Sequence, residues 1–374
     1  MTLILVAGTT THPTCNISPR GVRRPPLHLM PVAAIAAHLS GCSVEGTSSP
    51  EPQAAPTQTA DPGGCLDGPV VASANEGSGE VYVPPSIETD LPPGKAGETI
   101  RYGRELVDRF PYYLGPKGSV GSYGGNGLGC SSCHLDAGTV PYGLNYFSVY
   151  GRYPQYRGRE GEILTLAQRV NNCIQRPMNG TPMPLDSPEM VAIVSYMQWL
   201  GRGVPVGERV EGDALMALQV PDRPADPAAG KLVYEQYCQS CHQADGQGVP
   251  AEDGIAYQYP PVWGYMSYQP GSSMHRVMKS AMWIKNNMPR GVTWENPILT
   301  DQQAIDVAAY INDDEAHARP TSKESKAEYP HPEDKPVDYH RGPFADPYDE
   351  ATHKFGPWAE LRKWREDNGQ FTGW

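Results

Sequence analysis

Apolar residues recur at helical spacing in separate stretches of this chain, and the segments between them lose all period. From Lys95 to Leu114 the spacing predicts a helix with Ile100, Tyr102, Leu106, Val107 and Phe110 on one face. Glu160 to Arg176 predicts a second, carrying Ile163, Leu164, Leu166, Val170 and Ile174, and Pro177 ends it. Asp186-Ser187-Pro188-Glu189 is a helix start, with Ser187 as cap and Pro188 at the first helical position. That helix runs through Met190, Ile193, Val194, Met197 and Leu200 and stops at Gly201. After a connector containing Pro and Gly the plan repeats more compactly. Helices are predicted over Ala228–Gln239 and Gly271–Asn287, and one from Thr300, its cap, to Asn312.

No strand-rich region is present, so the expected fold is all-α with long loops. The organisation follows: an export signal over 1–42, a disordered linker over 43–94 rich in Ser, Pro, Gly, Thr and Glu, a first domain over 95–212, a connector over 213–227, a second domain over 228–316, and a tail over 317–374. Only Trp358 to Arg365 in the tail has weak helical spacing. The three tryptophans of the whole tail are too apolar for free solvation, so an extended tail wrapped on the domains is expected.

One pentad occurs in each domain: Cys130-Ser131-Ser132-Cys133-His134 and Cys238-Gln239-Ser240-Cys241-His242. Two thiols so spaced can each add across a haem vinyl group, and the next imidazole then reaches the iron. A zinc site would want a second pair of ligands at short range, and a redox dithiol a βαβ setting; neither is found. The expectation is two class I cytochrome c-like domains in tandem. Each holds one covalent haem c, through Cys130 and Cys133 and through Cys238 and Cys241, with His134 and His242 as axial ligands.

The sixth ligands decide the chemistry. For the second haem Met288 is the candidate, in Asn287-Met288-Pro289 just before the loop into the last helix. Met274, Met278 and Met282 fall at i, i+4 and i+8 and are expected as a packed stripe. For the first haem Met178 and Met183 lie in the comparable region, yet Cys173 competes with them. On the predicted helix Arg169, Cys173 and Arg176 share one face, and guanidiniums beside a thiol favour its thiolate. A lone cysteine is also frequently structural.

The 374 residues include 40 Gly and 39 Pro, a loop-rich composition that suits a protein whose cofactors supply part of the core. A net charge of −12 without a basic run excludes nucleic acid as the expected partner. Haem attachment of this type takes place outside the bacterial cytoplasm. Arg20, Arg23 and Arg24 precede the apolar run from Met30 to Leu39, which is too short to span a bilayer. Leu39-Ser40-Gly41-Cys42 is a lipoprotein-type box, so a periplasmic protein lipid-anchored through Cys42 is expected. Cys65, in the linker, has no obvious partner.

Three stretches carry a resemblance: Asn126 to Thr139 around the first pentad, Tyr153-Pro-Gln-Tyr-Arg-Gly-Arg159, and Arg169-Val-Asn-Asn-Cys-Ile-Gln-Arg-Pro-Met-Asn-Gly180. They resemble the signature of tetrathionate-forming thiosulfate dehydrogenases, di-haem cytochromes of the bacterial periplasm. The likeness runs from about Lys95 to Asn312, and His353-Lys-Phe-Gly-Pro-Trp358 in the tail is similar as well.

The resemblance implies Cys173 as sixth ligand of the first haem and as a catalytic group, Met288 on the second haem, and Arg159 and Arg169 lining a thiosulfate pocket, with Arg176 beside them. It implies oxidation of two thiosulfates to tetrathionate, with electrons passing from the first haem to the second. From there they go to an acceptor such as another cytochrome c, soluble or membrane-bound. The reverse reaction, tetrathionate reduction, and a plain electron carrier are the alternatives. Two positions depart from the family: Pro177 stands where a Ser is usual, and Asn287 where some members have a lysine.

Overall fold

The structure, a computed structural model, describes residues 80–321 and 328–374. The first predicted helix forms in two pieces, α1 (Lys95–Asp108) and α2 (Phe110–Leu114). Arg109 leaves helical backbone between them, and Pro111 opens the second. Leu106, Val107, Phe110 and Leu114 are buried along this pair. The first pentad follows as a 3-10 turn, Cys130–Ser132, leading into the short α3 (Leu135–Gly138).

The helix expected over Glu160–Arg176 is shorter than its apolar period suggested. Its first turns are instead part of a hairpin, β1 (Gln155–Arg157) against β2 (Glu162–Leu164), and α4 spans Leu166–Gln175. Gly161 takes the left-handed backbone (φ +70°) before β2. Thr165 then restarts the chain as a helix cap by accepting from the Gln168 N–H. Ile163, counted toward the apolar face, is exposed. Next, α5 (Pro188–Leu200) starts as predicted, with Ser187 accepting from the Met190 N–H.

The second half runs α6 (Pro227–Tyr237), α7 (Gln239–His242), a ribbon of β3 (Val249–Pro250) with β4 (Tyr257–Tyr259), α8 (Val277–Asn287) and α9 (Asp301–Ile311). The helix expected from Gly271 starts late, because Ser272 caps a separate 3-10 turn, Ser273–His275, and Arg276 is extended. Thr300 caps α9 as predicted. Both halves cross their first and last helices at a glycine. A Cβ on Gly103 of α1 would lie 2.0 Å from the Ala192 carbonyl oxygen of α5, and one on Gly230 of α6 would lie 1.9 Å from that of Asp306 on α9. Any side chain there would force the helices apart. The repeated crossing is the tandem all-α plan, and among the described residues the strands form only the two ribbons.

The tail is less extended than expected. It forms α10 (Glu350–Phe355) and α11 (Trp358–Asp367), with Trp358 and Leu361 buried. Fully buried Asp346 meets the Arg365 guanidinium at 2.7 Å and His353 at 3.0 Å. Asp314, just past α9, accepts from His275 at 2.7 Å and from His340 of the tail at 3.0 Å, and pairs with Lys354. Polar contacts of this kind leave no period in a sequence. Of the expected linker, the described residues lie on the first domain: Tyr82 packs its ring on Phe147 and donates its hydroxyl to the Leu200 carbonyl at 2.9 Å. Export segment 1–42, with Cys42, and Cys65 fall outside the described residues.

Candidate functional site

Each pentad closes one helical turn, with the His134 N–H on the Cys130 carbonyl at 2.8 Å and the His242 N–H on that of Cys238 at 2.9 Å. Behind the turn, His134 Nδ1 contacts the Leu144 carbonyl and His242 Nδ1 donates to the Pro260 carbonyl at 2.7 Å. With Nδ1–H engaged, Nε2 keeps the lone pair that a metal takes. Burial holds the His242 pKa below its ordinary value against the opposing pull of the Pro260 carbonyl, so the ring is neutral at pH 7.

A first cavity opens beside the first pentad. Cys130, Cys133 and His134 line it, with Leu144, Tyr146, Val170 and Ile193 supplying apolar wall. Cys173 and Met178 both face it, and Met183 does not line it. The second is lined by Cys238, Cys241 and His242 and by Met288, which caps the C-terminus of α8. Paired thiols, an imidazole with its Nε2 available, a sulfur donor in the wall and an apolar remainder fit a covalently held haem in each cavity. Met278 and Met282 pack in the core as predicted, whereas Met274 lines both cavities. Gly129 and Cys133 are shared in the same way, and Trp283 Nε1–H of α8 donates to the Cys133 carbonyl at 3.0 Å. The two haem sites therefore have a common wall.

Arg159, Arg169 and Arg176 also line the first cavity, all buried. Arg169 and Arg176 come from α4 and its end; Arg159 comes from the turn between β1 and β2. Sequence spacing alone could not have placed Arg159 beside them. Two carboxylates stand among the guanidiniums. Glu160 Oε1 meets Arg176 Nη2 at 2.7 Å and accepts from Asn172 at 2.9 Å. Glu328 Oε1 lies 2.7 Å from Arg176 Nε and 3.8 Å from Arg159 Nη1. Burial alone would raise the Glu160 pKa, but Arg176, Arg169, Arg159 and Arg157 outweigh it and hold the carboxyl below its usual range. Burial likewise opposes the Arg159 charge, yet Tyr329, Glu328 and Glu160 keep its pKa well above the ordinary value. Arg176 Nη1 is buried with no hydrogen-bond acceptor, so the cluster retains donor capacity for an oxyanion. Pro177 lines the same cavity.

Residues 122–206 match the SoxA/TsdA cytochrome c domain, and residues 227–315 match the cytochrome c family. The thiosulfate dehydrogenase of Stutzerimonas stutzeri (strain A1501) is 38% identical over 248 residues, covering 66% of this chain and 76% of that protein. That of Allochromatium vinosum is 37% identical over 238 residues, covering 63% and 83%. The chain belongs to the thiosulfate dehydrogenase family. A solved structure of the thiosulfate dehydrogenase TsdBA from Marichromatium purpuratum, in its "as isolated" form, superposes with a TM-score of 0.59 at 33% identity. The match covers 65% of this chain and 50% of that one. Like its family, the chain has two cytochrome c domains, and it carries two covalently bound haem c groups.

At the positions where this thiosulfate dehydrogenase relative departs from its family, the structure shows what the side chains do. Asn287 is buried and donates to the carbonyls of Tyr142 (3.1 Å) and Trp283 (2.9 Å). Lys285 pairs with Asp301. Sequence reasoning missed Glu160, Glu328 and Tyr329. Glu160 had a signal, a carboxylate next to Arg159 in a run of positive charge. Glu328 and Tyr329 had none, for they lie in the tail and reach the cluster only through tertiary packing.

Proposed function

We propose that this protein oxidises thiosulfate to tetrathionate at the first cavity and passes the electrons through its second domain to an acceptor of the cytochrome c class. One observation carries this: Cys173 shares a cavity with the first haem attachment site and with three buried arginines. Thiosulfate is a dianion, and two of them repel unless fixed positive charge offsets the repulsion. The Arg159, Arg169 and Arg176 forks supply it and orient the sulfonate end by charge-assisted hydrogen bonds. The outer sulfur is then left toward Cys173. That thiolate would hold the haem iron together with His134 and acts as the nucleophile. It forms a sulfur–sulfur bond with the outer sulfur of one thiosulfate as two electrons leave, and a second thiosulfate displaces it to give tetrathionate and the free thiolate. The haems, when bound, accept the electrons and hand them on. A plain electron carrier has no use for anion-binding forks beside its ligand.

Met288, in the wall of the second cavity, would hold the second haem iron together with His242, since Asn287 and Lys285 are held by partners of their own. The mature protein is periplasmic and lipid-anchored through Cys42, in keeping with the box at Leu39–Cys42. The test of the activity is thiosulfate-dependent reduction of ferricyanide by the purified holoprotein, lost in Cys173→Gly. A wild-type protein that reduces ferricyanide only when first reduced by another cytochrome is a carrier.

A further inference from the structure

Glu328 does not line the first cavity. It stands behind the arginines that do, on a part of the tail that no haem motif reaches. Its Oε1 sits between Arg176 Nε and Arg159 Nη1, and its Oε2 accepts from the Tyr339 hydroxyl at 2.8 Å. The next residue completes the clasp. The Tyr329 N–H donates to the Arg159 carbonyl at 2.8 Å, its hydroxyl accepts from Arg159 Nε at 3.4 Å, and the Arg159 guanidinium lies over its ring, 5.6 Å from the centroid. The side chain of Glu328 is 1% exposed, so water does little to screen its charge from the two guanidiniums.

We propose that Glu328 is a positioning residue that sets the charge of the oxyanion pocket. The proposal rests on the thiosulfate function put forward above. The carboxylates of Glu160 and Glu328 offset two of the three guanidinium charges that line the cavity. Without Glu328 the cluster holds an anion more tightly than turnover requires, and the dianionic product leaves slowly. With Glu328 the arginines are aimed, and their hold on a dianion is weakened enough to release it. Tyr339 shares in this by occupying Oε2, which restrains the carboxylate from turning fully onto the forks.

Two variants of the holoprotein move anion affinity in opposite directions. Glu328→Gln keeps shape and removes charge, so the KM for thiosulfate falls by about tenfold and inhibition by tetrathionate strengthens to a similar degree. Glu328→Asp returns both toward wild type. Tyr339→Phe leaves the carboxylate in place but frees Oε2, so the KM rises while kcat is unchanged. A residue needed only for folding would shift both variants the same way, with loss of thermal stability. Unchanged or weakened anion binding in Glu328→Gln overturns the proposal, as does a lowered KM in Tyr339→Phe. Sulfate, an unreactive dianion, is titrated in parallel against the haem spectrum. If wild type fails to oxidise thiosulfate, the functional assignment falls, while the sulfate affinities of the two variants still decide the role of Glu328.

Discussion

Arg176 is the best point at which to perturb the pocket, because its guanidinium contacts the carboxylates of both Glu160 and Glu328. Arg176→Ala removes the partner that lies 2.7 Å from Glu160 and 2.7 Å from Glu328. Breaking a buried pair from one side costs about 3–5 kcal/mol, since the abandoned charge stays buried. Here the cost should lie near the lower end. Glu160 keeps its hydrogen bond from Asn172, and Glu328 keeps Tyr339 and the more distant Arg159. About 3 kcal/mol corresponds to a fall in Tm of roughly 4 °C for a chain of this size. Catalysis should suffer independently. Losing one positive partner of a desolvated dianion costs about 2–4 kcal/mol, or roughly 30- to 1000-fold in kcat/KM for thiosulfate. Arg176→Lys restores the charge but not the fork, so it should recover part of the affinity. The assays are thermal unfolding of the holoprotein and thiosulfate-dependent ferricyanide reduction. If Arg176→Ala loses stability yet keeps kcat/KM within threefold of wild type, the arginine is a structural tie and the pocket is misassigned.

Replacing Met288 with Gly should abolish the sulfur-to-iron charge-transfer band of the oxidised second haem and leave the first haem unchanged; loss of that band in Met282→Gly instead would place the ligand elsewhere. Acidification should loosen the tail. Burial holds the pKa values of His275 and His353 below the ordinary 6.5, so only the unfolded chain takes up protons as the pH falls through that value, and the folded state loses stability. From pH 6.5 to 5.5 the two histidines together withdraw up to about 2 kcal/mol, seen as a fall in Tm, and a flat or rising Tm over that interval would refute the assignment. If Cys42 is lipidated, full-length protein should enter a detergent phase and lose that behaviour in Cys42→Ala; wild type that stays in the aqueous phase ends the anchor claim.

The haem framework was legible because it is written in contiguous residues. Cys130 to His134 and Cys238 to His242 fix attachment by spacing alone, and Ser187 and Thr300 announce their helices by local chemistry that tertiary packing did not override. Glu160 to Leu164 misled for the opposite reason. Their apolar spacing suits a helix, but Gly161 turns the chain and Thr165 makes a better helix start, so the segment became a ribbon that carries Arg159 toward α4. The tail was the least readable part. It has almost no hydrophobic period, because Asp346 with Arg365 and Asp314 with Lys354 hold it through charge, His353 adds a hydrogen bond to Asp346, and such pairs are fixed by positions far apart in the chain. The same is true of Glu328. Its carboxylate meets Arg176 and Arg159 from more than 150 residues beyond them in sequence.

The central claim is that this cavity joins two thiosulfates and sends away two electrons. It is tested most directly by counting products. Purified holoprotein is incubated with a limiting, known amount of thiosulfate and excess ferricyanide, and tetrathionate is measured alongside the ferricyanide reduced. The account predicts one tetrathionate for every two thiosulfates consumed and two ferricyanides reduced, with none formed by Cys173→Gly. Ferricyanide reduction with sulfate or sulfite as the product, or no consumption of thiosulfate at all, would contradict it.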